Sequence, residues 1–282
     1  MNKSKRRRLI SIAAGLALLP AVASATVINI WSSIGDEANF SGGSAITDPI
    51  PDPLSGSGVG IVDPSDIGNG SALFYWDDDS GSRVTSRYHT GGFTEGIQVN
   101  FTGRVASGSP AGDLLFRIGD TTSSLASGGD AAIDIRISDA GNLRYFYGGG
   151  DDSMSVGVDT NFTFSMVINA APLLGADFSY DAGGSMTTLA PQEFDLFING
   201  NFVTRQTTRL DETNDYDALS LARFWFLTGG STAGSSPSIL IDDWTINTET
   251  DVIGPSAVPE PSLYAAIIGL AGLAFVFLRR RK

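Results

Sequence analysis

The sequence predicts an all-β protein, an antiparallel β-sandwich bracketed by an apolar segment at each end. Three observations carry this expectation. Runs of strand length, rich in Val, Ile, Phe, Tyr, Trp and Thr, recur along the middle of the 282-residue chain. Turn chemistry built on Gly, Asn and Asp separates them, as at Gly128-Gly129-Asp130 and Asp139-Ala140-Gly141-Asn142. No window between residues 26 and 258 repeats its apolar residues at helical spacing over three turns.

At the N-terminus, Lys3, Lys5, Arg6, Arg7 and Arg8 precede an apolar stretch from Leu9 to Leu19. Ala23-Ser24-Ala25 then fits the small-residue cleavage pattern, so residues 1–25 are expected to be a signal peptide with Ala23 and Ala25 at its cleavage site. The apolar stretch is short and ends at Pro20, which argues against a permanent membrane helix. Val27–Trp31 is the first strand. Residues 41–70 carry Asp48-Pro49-Ile50-Pro51-Asp52-Pro53 and Gly68-Asn69-Gly70; Pro and Gly crowd out any long strand, so an extended loop is expected. It either links the first strand to the sandwich or contacts a ligand.

Further strands are predicted at 71–76, 96–105, 113–118, 131–137, 142–147, 161–169, 193–199, 201–206, 221–228 and 238–247. Asn161–Asn169 alternates over its length. Glu193–Val203 reads as a hairpin turning at Asn199-Gly200, the strongest short-range hairpin signal. Ile239–Ile246 supplies a closing strand. The sandwich domain is therefore placed at 26–257, with Glu249–Ala257 as a tether.

Residues 258–282 hold three parts in order. Pro259-Glu260-Pro261 is a rigid motif that neither helix nor strand interior can absorb. Leu263–Leu278 is an unbroken apolar run, expected as a transmembrane helix of roughly 24 Å. Arg279-Arg280-Arg281-Lys282 then belongs on the cytoplasmic side, which leaves everything before Pro259 outside. This arrangement closely resembles the PEP-CTERM sorting signal of Gram-negative bacteria. The resemblance implies recognition and cleavage by an exosortase, an inner-membrane intermediate before processing, and delivery to the cell surface or extracellular matrix, often with exopolysaccharide.

An alternating strand, a hairpin of the form "hxhNGxhh" and a terminal "hxIDDhxh" strand together resemble the second half of a laminin-G or concanavalin-like jelly roll. That family includes lectins, adhesion modules and glycan-cleaving enzymes. The resemblance thus implies a structural, adhesive or carbohydrate-binding role, with a glycan-active hydrolase or lyase as the alternative.

The whole chain carries a formal charge of −13. Residues 26–258 keep nine arginines and no lysine against thirty acidic residues, which gives −21 for this acidic protein once both ends are removed. Such a net charge opposes nucleic acid and anionic lipid as partners and suits divalent cations, basic partners or a salty exterior. The absence of cysteine excludes thiol chemistry and Cys-based zinc sites.

Candidate chemistry is sparse. Laminarinase-type jelly rolls carry acids alternating on one strand face. The nearest match, Ile133–Asp139, has Arg136 where the acid after Asp134 should stand, so no catalytic residue is expected and the protein is read as a non-enzyme. His89 is the sole histidine, and no nucleophile-elbow motif on a strand-to-helix turn accompanies it. Asp211, Asn214, Asp215 and Asp217 form an oxygen-rich run with ligand chemistry for calcium; the other reading is a solvated acidic turn. Asp77–Asp79, Asp151-Asp152 and Asp242-Asp243 are lesser candidates. Among the four tryptophans, Trp76 ends a predicted strand beside the Asp77–Asp79 turn and is the one placed for glycan contact, with core packing as the alternative. Trp225 and Trp244 read as core.

Overall fold

Two sheets face each other across a core of aromatic rings in the computed structural model, which describes residues 26–32, 36–40, 46–47, 58–62, 72–78, 85–107, 112–120, 125, 131–147, 150–172, 174–208, 221–228 and 235–248. The strands are β1 (Val27–Trp31), β2 (Ile46–Thr47), β3 (Gly58–Val62), β4 (Ala72–Asp78), β5 (Thr85–Phe93) and β6 (Gly96–Val105). Next come β7 (Asp113–Gly119), β8 (Ile133–Ser138), β9 (Asn142–Tyr147), β10 (Gly150–Ser155), β11 (Asn161–Asn169) and β12 (Phe178–Asp181). The last are β13 (Met186–Leu189), β14 (Glu193–Ile198), β15 (Asn201–Thr207), β16 (Leu221–Thr228) and β17 (Ser235–Asn247).

The larger sheet runs β15-β14-β11-β6-β17-β4-β3-β2, with β1 also paired to β17. The smaller sheet runs β10-β9-β8-β7-β16-β5. All described pairings are antiparallel except β2 with β3. Alternation fixes which side chains meet between the layers. Phe101 of β6 packs edge-on against Phe116 of β7 at 5.5 Å and Phe226 of β16 at 5.2 Å. Trp244 of β17 meets Phe226 at 4.8 Å. The expected all-β antiparallel sandwich is therefore what the chain forms.

Several strands lie where turns or loops were expected. Ile46–Thr47 and Gly58–Val62 fall inside 41–70 yet extend the larger sheet beyond β4. Gly150–Ser155, whose Gly150-Asp151-Asp152 has turn composition, pairs along all of β9. Asp77 and Asp78 continue β4 opposite Ser236 and Ser235, so Trp76 sits within the strand and does not end it. Here the pairing partner supplies the ladder that local composition does not favour.

Trp244 is fully buried as expected, but not in phase with Leu240. Ile239 and Ile241 face the core, Asp243 takes φ 50°, and the β6 register slips between Asp242 and Thr245. This bulge rotates the strand and brings Trp244 and Ile246 inward.

β1 closes against β17, with Val27 opposite Asn247 and Thr248 N–H donating to the Thr26 carbonyl at 3.2 Å. Among the described residues, no helix is long and apolar enough to cross a membrane. Leu263–Leu278, Pro259, Glu260, Pro261, Ala23 and Ala25 lie outside the described residues.

Candidate functional site

The hairpin of β14 and β15 turns at Asn199-Gly200 with φ of 51° and 76°, both in the left-handed region that a two-residue primed turn requires. Below the turn Ile198 opposes Asn201 and Phe197 opposes Phe202, but Leu196 then opposes Thr204. The extra residue is Val203. This bulge places Arg205 opposite Asp195, where an unbroken ladder would have put Thr204.

Along β14, Phe194, Leu196 and Ile198 enter the main core, so Asp195 and Phe197 project from the opposite face of the sheet. The short hairpin of β12 and β13 packs over that face, burying Val167, Phe178, Tyr180, Leu189 and Phe197 as a second cluster. Its base is fixed by buried Asn169, whose amide donates to the Ala176 and Leu189 carbonyls at 3.0 and 3.1 Å. Gly96 leaves room for Phe178, since a Cβ built there falls 2.1 Å from the ring.

Between the two hairpins opens a cleft of about 560 Å³. Its polar side is one network. Arg205 donates from Nε to Asp195 Oδ1 at 2.8 Å and from Nη2 to Asp195 Oδ2 at 2.7 Å. Tyr180 donates its hydroxyl to the same Oδ2 at 2.5 Å, and Arg205 Nη1 reaches the Thr188 carbonyl at 2.9 Å. Asp195 is fully buried. Burial first, then the Asp195 carboxylate, hold the Tyr180 phenol far above its ordinary value, so it stays protonated and donating. The hydrogen bonds to Asp195 raise Arg205 further still, and its charge is permanent. The apolar side is Phe202, 58% exposed, edge-on to buried Phe197 at 5.8 Å. Gly183 and Gly184 form the overhanging tip of the β12–β13 turn, where an added Cβ would meet nothing.

Sequence reasoning did not single out this cleft. Its polar residues come from four strands, and the Val203 bulge that aligns two of them has no local sequence mark. The one available signal was Asp195 itself, an acid inside the apolar run Phe194–Ile198.

The sequence-derived candidates fall elsewhere. Asp211, Asn214, Asp215 and Asp217 lie outside the described residues. Trp76 contributes backbone opposite Gly58 from β4, which lies four positions along the larger sheet from β14. Among the described residues, no three acid or histidine side chains are grouped to hold a metal ion.

On the face of β8 turned away from the core, Asp134 and Arg136 form an ion pair at 3.4 Å. Outward here is not exposed: Asp134 is buried, with Arg117 on its other side at 3.3 Å. Arg117 in turn donates to the Leu125 carbonyl at 2.9 Å. His89 lies stacked on Trp225 at 5.8 Å and accepts the indole N–H at 2.9 Å on Nε2. Arg87 also lies on the Trp225 ring, at 4.2 Å. Burial, then Arg223 and Arg87, push His89 below its ordinary range, which keeps Nε2 an acceptor at neutral pH.

No family model matches the sequence, and no curated protein matches it. Among solved structures, a carbohydrate esterase from a Shiga toxin-encoding bacteriophage is 16% identical with a TM-score of 0.46, over 69% of this chain and 88% of that one. A carbohydrate-binding module from Bacillus subtilis is 9% identical with a TM-score of 0.36, over 70% and 99%. A galectin from Caenorhabditis elegans is 10% identical with a TM-score of 0.30, over 60% and 95%. Likeness this distant says nothing about what the present chain binds.

Proposed function

We propose that this chain is an exported cell-surface or extracellular-matrix protein that holds glycan in the cleft between its two hairpins and does not turn it over. The observation that carries the reading is the convergence of a fixed donor fork with an exposed ring. Asp195 and the Thr188 carbonyl immobilise the Arg205 guanidinium while leaving one N–H on each terminal nitrogen without a partner in this network. Phe202 stands beside it with most of its surface in water. A sugar offers hydroxyls at its edge and C–H groups on its face, which suits one polar wall and one aromatic wall.

A binding role without catalysis is supported by the state of the acids. Both oxygens of Asp195 are taken by three donors, and Asp134 stands between two guanidiniums. Glycoside hydrolysis asks for a protonated acid and a second carboxyl across the cleft. The sorting part of the proposal rests on Pro259, Glu260 and Pro261 with the segments behind them. It is supported by β1 and β17 lying side by side, which lets both targeting segments leave from one end of the sandwich. We read the sandwich as a laminin-G/concanavalin-like jelly roll, on the placing of β6 between β11 and β17.

The test is a glycan microarray probed with the full chain in detergent. Defined spots should light for the parent and fade for Phe202→Ala and Arg205→Gln. A blank array, or one unchanged by both substitutions, counts against the reading.

A further inference from the structure

The net charge of −21 for residues 26–258 conceals an uneven distribution. Of the nine arginines in that span, Arg87, Arg117, Arg136, Arg144 and Arg223 stand on one side of one sheet. The registers show it. Phe116, Ile135, Leu143 and Phe224 enter the core, so the residues next to them in sequence point the other way. Directly opposed pairs share a face, and Arg136 opposes Arg144, Arg223 opposes His89, and Trp225 opposes both Arg87 and Arg117. Asp113 and Asp134 share this face: Asp134 is bridged to Arg117 and Arg136, and Asp113 lies within the field of Arg136 and Arg144. By register β10 adds Asp151 opposite Phe146, which leaves the arginines in excess over the acids.

Like charges opposed across a ladder destabilise a sheet, and Arg136 with Arg144 is such a pair, while Arg223 stands opposite the neutral His89. In a domain with thirty acids available, this clustering points to an anion. Arg144 and His89 are exposed, and Arg87, Arg136 and Arg223 are half-buried. Leu125 and Ala131 pack with Leu115, Trp225 and Leu227 over the middle of the face. They divide the cations into one group on β8 and β9 and another on β16 and β5. Strands β9 and β5 are four positions apart, roughly 19 Å.

We infer that the outer face of the smaller sheet docks an acidic polysaccharide, a chain polymer bearing carboxylates or sulfates at the spacing of its sugar units. Two separated cation groups call for an extended ligand that reaches both. Duplex DNA carries about one charge per 1.7 Å and would run on over the acidic remainder of the domain. A polymer with one charge per sugar matches sparse cations better. The face is separate from the hairpin cleft, so either reading can fail while the other stands.

The probe is alginate, with neutral dextran of matched length and duplex DNA as the other arms, offered to the immobilised full chain in detergent by biolayer interferometry. Alginate should bind more tightly than dextran, and raising the salt from 50 to 300 mM should weaken alginate binding at least tenfold. Arg144→Gln and Arg223→Gln should each weaken it about threefold or more, with melting temperatures unchanged, while Arg104→Gln on the other sheet should leave it intact. Dextran binding that Arg144→Gln and Arg223→Gln weaken as much as alginate binding, DNA binding more tightly than alginate, or equal loss in Arg104→Gln would overturn the inference. Loss in Phe202→Ala equal to that in Arg144→Gln would put the polymer in the cleft and also overturn it.

Discussion

Arg205 grips Asp195 through two parallel hydrogen bonds, Nε to Oδ1 and Nη2 to Oδ2, across a ladder position that exists only because Val203 is bulged out. The pair joins the edge hairpin to Tyr180 of the overlying β12–β13 hairpin and so ties two layers at one carboxylate. Removing the carboxylate strips the guanidinium and the phenol of their shared charged acceptor. Asp195→Ala should cost about 3 kcal/mol in urea denaturation. Asp195→Asn, which keeps an acceptor oxygen but turns the other oxygen into a donor, should cost less. Equal stability of parent and Asp195→Ala would mean that the network does not hold the hairpins together.

Gly96 and Phe178 make the second tie. A methyl at Gly96 cannot coexist with the ring in its present place. Gly96→Ala should destabilise by about 1–3 kcal/mol and loosen the β12–β13 hairpin first, seen as faster amide exchange at Tyr180 and Thr188 than at Phe101.

Asp242 gives a pH signature. It is fully buried beside the bulge, its Oδ1 accepts the Asp243 N–H at 2.8 Å, and burial pushes its carboxyl up to about 6. The folded state therefore holds this proton more tightly than the unfolded chain, whose value is near 3.8. Its contribution is fully present below pH 4 and is lost as pH rises through 6, by up to about 3 kcal/mol. Asp242→Asn should accordingly be more stable than the parent at pH 7.5 and close to it at pH 4. A constant difference between the two proteins across that window would contradict the assignment.

The hairpin turning at Asn199-Gly200 and the alternation of β6 and β11 were legible because local chemistry and final structure agree there. β10 was not, because Gly150-Asp151-Asp152 has turn composition and becomes a strand only through its full register with β9. The phase of Trp244 was hidden by Asp243, and the partner of Asp195 by Val203. A bulge shifts every residue beyond it by one position, and neither of these carries a glycine that would announce it. The basic face was invisible for another reason: its arginines span residues 87 to 223, and only the strand order of the smaller sheet collects them.

Export and sorting have a direct check. In a host with an active exosortase, mass spectrometry of the surface-released protein should begin at Thr26 and show no peptide beyond about Pro261. Recovery of Leu263–Leu278 on the mature protein would leave a plain membrane anchor instead.

Glycan binding in the hairpin cleft is tested most directly by calorimetric titration of the full chain in detergent with the oligosaccharide of the brightest array spot. The parent should bind at one site with a micromolar to millimolar Kd. Phe202→Ala, which removes a largely exposed ring set edge-on to Phe197, should weaken binding at least tenfold at an unchanged melting temperature. Equal affinity in the parent and Phe202→Ala would contradict the cleft as the site.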